Sequence, residues 1–336
     1  MWFALVVSMV APVAAACSPV PVLRDADVGV TALEQNLKFI VTGAYREERA
    51  SMLRGWLDGP GRAVDVLLLS EARITEDLVP ALPGWCVYGQ GGDGGASPYA
   101  WTPAGAEPSP GGLVLGVRER AEGTQREIGL AAGRRFRARP TTLVEGVVAR
   151  IARYHKGWAE ITVDGSRLVW SHTQASYAAH PEHGAGGPRR GRAGQFDDLA
   201  EDLGRPERPT LLTGDLNLLD RFASSAGPAS RAHQRVALAA RVDTDTLARF
   251  EAKTGIEFHW FRPALCEGRE GSFFGCLFKV GKTLPWDAGA RYDRVGMNRV
   301  FIRRHPGTRI RHVAIERAGL RLSDHDGLEI SIPYGT

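Results

Sequence analysis

The chain has 336 residues, 43% hydrophobic, 24% charged and 8% aromatic. That composition excludes a disordered chain and a collagen-like repeat, and the length supports a sizeable core. Forty-two Lys and Arg against 38 Asp and Glu leave a formal charge of +4. This mild basic bias suits an anionic partner without identifying one. No apolar run approaches the ~20 residues that a membrane-spanning helix needs.

Residues 1–16 (MWFALVVSMVAPVAAA) are apolar and close on small residues, which predicts a secretory signal cut after Ala16. The usual basic start is missing, because no Lys or Arg precedes Arg24. Cys17 follows at once, so the same site also resembles a lipoprotein signal, with an ordinary cysteine as the alternative. Export would expose Cys86, Cys266 and Cys276 to oxidant, and the spacing of Cys266 and Cys276 suits a local disulfide. The remaining chain, 17–336, shows no composition break and reads as one domain.

In chain order, β-rich apolar runs predict strands at Leu37–Thr42, Val64–Leu69, Gly112–Val117, Gly146–Ile151, Ala159–Val163, Arg167–Ser171, Thr210–Leu212, Arg299–Arg303 and Leu328–Ile332. Helical spacing falls at Glu47–Leu57 and Ala193–Leu203. Gly89–Gly112 and Pro181–Gly194 read as surface loops, and Gly91–Gly95 as flexible linker without the Lys of a phosphate loop. Many strands with few, separated helices predict an α/β fold: a four-layer α/β sandwich with two mixed β-sheets face to face and helices outside.

Four segments put reactive groups at strand ends, where a rigid scaffold tends to hold catalytic side chains. Glu71 closes the apolar run Leu67–Ser70 and could bind a hard cation. His172 closes Leu168–Ser171 and could hydrogen-bond a phosphate oxygen or carry a proton. Gly214-Asp215-Leu216-Asn217 follows a third strand; the glycine permits a tight turn, and Asp215 and Asn217 can share one side of an extended segment. Ser323-Asp324-His325 precedes the last strand, where an aspartate beside a histidine would hold a base in one tautomer.

Taken in that order, the four segments resemble the endonuclease/exonuclease/phosphatase superfamily over Leu37–Ile332. Within it, His172-Thr173-Gln174-Ala175-Ser176-Tyr177 looks most like bacterial neutral sphingomyelinases. Two positions depart from the superfamily pattern. The first strand usually ends in a metal-holding Asn, and the run Leu37–Thr42 puts Gly43 there. A late Asp before a strand falls in either of two registers, one giving Asp293 and the other Asn298.

The resemblance implies Mg²⁺-dependent hydrolysis of a phosphodiester, with Mn²⁺ or Co²⁺ as substitutes. Glu71, Asp215 and Asp324 would serve the metal, and His325, oriented by Asp324, would be the base. Asn217 would donate to phosphate and His172 would stabilise the transition state. The aromatics of Phe258–Phe261 and Ser272–Gly275, with export, favour a phospholipid or membrane surface as partner. Arg134–Arg139 and Arg189–Arg192 favour the rival, a secreted nuclease contacting nucleic acid. Gly43 motivates a third reading, a non-catalytic binding protein on the same scaffold. No protein partner is implied.

Overall fold

The computed structural model describes residues 17, 22–25, 29–37, 46–72, 82–91, 100–103, 112–120, 124–137, 156–173, 191–216, 244–260, 294–318, 320–323 and 327–334. In chain order the strands are β1 (Val22–Asp25), β2 (Gly29–Asn36), β3 (Val66–Ser70), β4 (Trp85–Gly91), β5 (Ala100–Pro103), β6 (Val114–Arg118), β7 (Thr124–Glu127), β8 (Gly129–Arg135) and β9 (Gly157–Val163). They continue as β10 (Ser166–His172), β11 (Thr210–Asp215), β12 (Ile256–Trp260), β13 (Arg294–Asn298), β14 (Arg309–Val313), β15 (Glu316–Arg317), β16 (Leu320–Arg321) and β17 (Gly327–Pro333). The helices are α1 (Arg46–Asp58), α2 (Gly191–Leu203), α3 (244–254) and α4 (Arg299–Arg304).

The strands form a seven-stranded sheet, β14-β17-β2-β3-β6-β4-β5, and a six-stranded sheet, β12-β13-β11-β10-β9-β8. Strict alternation of side chains decides how they stack. Val66 and Leu68 of β3 join Leu168 and Trp170 of β10 and Leu211 of β11 in the core between the sheets. Their neighbours Leu67 and Leu69 face the other way, onto Met52, Leu53 and Leu57 of α1. Val169 and Leu212 face outward onto Phe196 and Leu199 of α2 and Phe250 of α3. The layers are therefore helix, sheet, sheet, helix, as expected.

Three expectations need correction. The strand expected at Leu37–Thr42 does not begin at Leu37: β2 ends at Asn36, Leu37 follows it outside the strand, and Lys38–Thr42 lie outside the described residues. Arg299–Arg303 is helical, although Val, Phe and Ile favour strand. Asn298 caps it by accepting from Phe301 N at 2.8 Å, and Phe301 is its one buried side chain. The segment Gly89–Gly112 is only partly loop, since β4 and β5 pair through it from Tyr88↔Pro103 to Gly91↔Ala100. The strand expected at Gly146–Ile151 lies outside the described residues.

A disulfide joins Cys17 to Cys86 across 69 positions, with Cα atoms 5.5 Å apart. It ties the start of the described chain to β4. A thioether anchor on Cys17 would need the same sulfur, so the two states exclude each other. Cys266 and Cys276 lie outside the described residues.

Candidate active site

Two parallel strand pairs create the site. β2 runs parallel to β3, with Asn36 beside Ser70, and β10 runs parallel to β11, with His172 beside Asp215. Parallel pairing brings carboxyl ends to the same edge, and the two sheets face one another. Asn36 shares the parity of Val30 and Ala32, His172 that of Leu168 and Trp170, and Asp215 that of Leu211. All three side chains therefore turn into the gap between the sheets, at the end of the sandwich. Gly214 makes the β10–β11 contact close: its φ is +121°, and a Cβ there would lie 2.1 Å from Ser171 O.

Asn36 Nδ2 donates to Asp215 Oδ2 at 2.8 Å. His172 Nε2 lies 3.1 Å from Glu71 Oε1 and 3.4 Å from Asp215 Oδ2. One ligand atom from each of Glu71, His172 and Asp215 falls within 4.8 Å of the others. Thr173 fastens this edge, its N donating to Asp215 O at 2.9 Å and its hydroxyl to Leu216 O at 2.6 Å. Glu71 sits just past β3 with φ +51°, a left-handed conformation uncommon outside glycine. His172, Asp215 and Asn36 form a buried floor, and Glu71 stands partly exposed at its rim.

Burial holds the His172 imidazole below its ordinary value, and the nearby Lys156 ammonium adds to that; Glu71 and Asp215 pull the other way. The net direction leaves the ring neutral at pH 7, with an N–H to offer an anion. The carboxylates of Glu71 and Asp215, joined by the Asn36 amide, are oxygen donors of the kind that suits a small hard cation.

Asn36 is the residue that sequence reasoning missed. It ends β2 and reaches Asp215, whereas the expected strand Leu37–Thr42 points to Gly43, which lies outside the described residues. Lys156 was missed too; it directly precedes β9, and its Nζ touches His172 Nε2. Asn298, an expected site candidate, belongs elsewhere. It accepts from Thr210 N at 3.1 Å and donates to Pro206 O and Arg208 O, so it locks the start of β11. Asp215 is at the other end of that strand, roughly 16 Å away at the usual rise per residue.

Asn217, Asp293, Asp324 and His325 lie outside the described residues. The strands beside them start at the right edge. β13 begins one residue after Asp293 and runs antiparallel to β11, so it starts toward the Asp215 end. β17 begins at Gly327 and runs antiparallel to β2, with Leu328 beside Glu34, so it starts toward the Asn36 end.

Part of the expected nucleic-acid surface is already neutralised. Arg134 lies 3.3 Å from Asp202, and Arg137 lies 3.3–3.4 Å from Asp198, Glu201 and Asp202, all on α2. Phe136 and Arg192 are buried. Of the aromatics expected at a membrane, Phe258 packs in the core with Phe196 and Phe250, while Phe261, Phe273 and Phe274 lie outside the described residues.

The sequence profile of the Endonuclease/Exonuclease/phosphatase family matches residues 30–325. No curated protein matches the chain. Among solved structures, it is similar to sphingomyelinase C from Streptomyces griseocarneus, at 16% identity and TM-score 0.45, covering 90% of this chain and 99% of that one. A mutant beta toxin from Staphylococcus aureus with bound magnesium ions gives 13% identity and TM-score 0.47, covering 92% of this chain and 100% of that one. D. rerio TDP2 complexed with single-strand DNA product gives 15% identity and TM-score 0.48, covering 90% and 98%.

Proposed function

We propose, from the premise that this chain belongs to the endonuclease/exonuclease/phosphatase family, that it is an exported, Mg²⁺-dependent phosphodiesterase of the sphingomyelinase or phospholipase C kind. The observation that carries the reading is the convergence of Asn36, Glu71, His172 and Asp215 at one end of the sandwich. A bound divalent ion would polarise the phosphoryl oxygens and offset developing charge. Glu71 and Asp215 would hold it, with Asn36 fixing the Asp215 carboxylate.

The chain's own groups then divide the work. With the Lys156 ammonium moved off Nε2, neutral His172 in its Nε2–H tautomer would donate to a phosphoryl oxygen, a bond that strengthens as charge builds. His325, oriented by Asp324, takes a proton from water; the water oxygen bonds to phosphorus in line with the departing oxygen. The P–O bond to the departing oxygen breaks, that alkoxide takes a proton from solvent water, His325 returns its proton to solvent, and a phosphomonoester remains. Asn217 donates to the phosphate, and Asp293 is assigned as an orienting carboxylate.

Two features support export: the apolar residues 1–16 and the Cys17–Cys86 disulfide, since such bonds persist in oxidising compartments. The segment His172–Tyr177 favours a lipid over a nucleic acid, and the ion pairs of Arg134 and Arg137 leave less free charge for a polyanion. A panel of sphingomyelin, phosphatidylcholine, plasmid DNA and inositol phosphates with Mg²⁺ tests this. Choline-phosphate release with intact plasmid supports the reading; plasmid nicking without lipid turnover replaces it with the nuclease. A folded protein inert toward all four points to the binding role.

A further inference from the structure

We propose that Lys156 is the resident counter-cation of the Glu71–His172–Asp215 cluster, and that a divalent ion must displace its ammonium to enter. The inference rests on reading that cluster as the metal site. Lys156 leaves a backbone held on both flanks. Its carbonyl accepts from Phe136 N at 3.2 Å, and the next residue, Gly157, pairs with His172 across β9 and β10. Strand β8 packs closely on Gly157, where an added Cβ would stand 2.2 Å from Arg134 O.

From that fixed point the side chain reaches inward. Its Nζ touches Nε2 of the wholly buried His172 and lies 4.0 Å from Glu71 Oε1. Only 19% of the side chain is exposed, so holding it against the cluster takes most of its surface out of water. A lysine accepts that cost where negative charge awaits it. Here two carboxylates converge on one neutral ring, and the ammonium stands where a metal would be drawn. Two cations at such separation repel strongly in a half-dry cleft. The entering ion therefore pushes the ammonium toward the mouth, and metal affinity is lowered by the work of doing so. The resident cation also relieves the repulsion between Glu71 and Asp215 while no ion is present.

The test is calorimetric titration of the chelator-stripped protein with Mn²⁺, comparing wild type, Lys156→Met and Lys156→Arg. Lys156→Met is expected to bind Mn²⁺ about tenfold more tightly, and Lys156→Arg to stay near wild type, because it keeps the charge. Unchanged or weaker binding in Lys156→Met overturns the proposal, since the lysine would then be a neutral bystander or an organiser of Glu71. Lys156→Gln is read by the same criteria if the methionine variant does not melt cooperatively. Glu71→Gln and Asp215→Asn separate the two levels. If they abolish Mn²⁺ binding, the metal site stands whatever Lys156 does. If no protein in the set binds Mn²⁺, the site reading and the counter-cation fall together.

Discussion

Replacing Gly214 by alanine should break the site from behind. The backbone there has φ +121°, which an L side chain adopts only under strain, costing about 1–3 kcal/mol. The added methyl would also sit 2.1 Å from Ser171 O and 2.5 Å from Ser171 N. Both are backbone atoms of the adjacent strand, so no rotamer change relieves the clash and β10 must part from β11. Forcing extra carbon into such a place costs a further ~1–3 kcal/mol. Together these give about 2–6 kcal/mol, or a fall in Tm of roughly 3–9 °C for a chain of this size. The strands that part carry His172 and Asp215 as register partners. A displacement near 1 Å should lower turnover about 100-fold even in the surviving folded fraction. Gly204→Ala is the control, because Gly204 also has a positive φ, +58°, but nothing lies within 4 Å of an added Cβ. Differential scanning calorimetry and hydrolysis of a soluble phosphodiester are the assays. A Gly214→Ala protein with the Tm and turnover of Gly204→Ala would show that β10 and β11 absorb the methyl without parting.

Three further outcomes follow from other parts of the molecule. Asn36→Ala removes the 2.8 Å donor from Asp215 and should cost about 10–100-fold in metal affinity or activity, read by Mn²⁺ titration; unaltered affinity would detach Asn36 from the site. Chiefly because it is buried, His305 holds its proton less tightly than the ordinary value of 6.5, while bonded to Ser166 Oγ and Pro333 O at 2.6 Å each. The unfolded chain therefore binds that proton better, so stability is complete above pH 6.5 and falls as pH drops below it. Urea midpoints from pH 7.5 to 5 should show this, and His305→Gln should flatten the slope; an equal slope in the variant would rule His305 out. Loss of the Cys17–Cys86 bond by Cys17→Ala frees a loop of 69 positions and should cost about 4 kcal/mol on the loop-entropy account; an unchanged urea midpoint would show that the bond constrains nothing.

The parts of this fold that announce themselves in sequence are those with uninterrupted apolar runs. β3 and β11 are buried along their whole length and β10 at every position but Arg167, so Val66–Leu69, Leu168–Trp170 and Leu211–Leu212 stand out, and the polar residue that ends each run marks the site edge. β2 hides because its inner face turns polar while still buried: Glu34 and Asn36 follow Val30 and Ala32 on the same parity. Continuing that parity was the available signal, but the apolar run after Asn36 drew the strand too far along the chain. Lys156 carried no signal at all, since only the pairing of Gly157 with His172 brings it near the cluster. Helix α4 was misread because capping by Asn298 outweighs the β preference of Val300, Phe301 and Ile302. The partner of Cys17 was equally hidden, since no local spacing points to a cysteine 69 positions away.

The central claim is that Glu71 and Asp215 serve one cation-dependent centre that splits a phosphodiester. It is tested most directly with bis(p-nitrophenyl) phosphate, independently of any lipid, on chelator-stripped wild type, Glu71→Gln and Asp215→Asn. Wild type should release p-nitrophenol only after Mg²⁺ is restored, and both variants should turn over about 1,000-fold more slowly. Undiminished turnover without a divalent ion, or variants as fast as wild type, would contradict it.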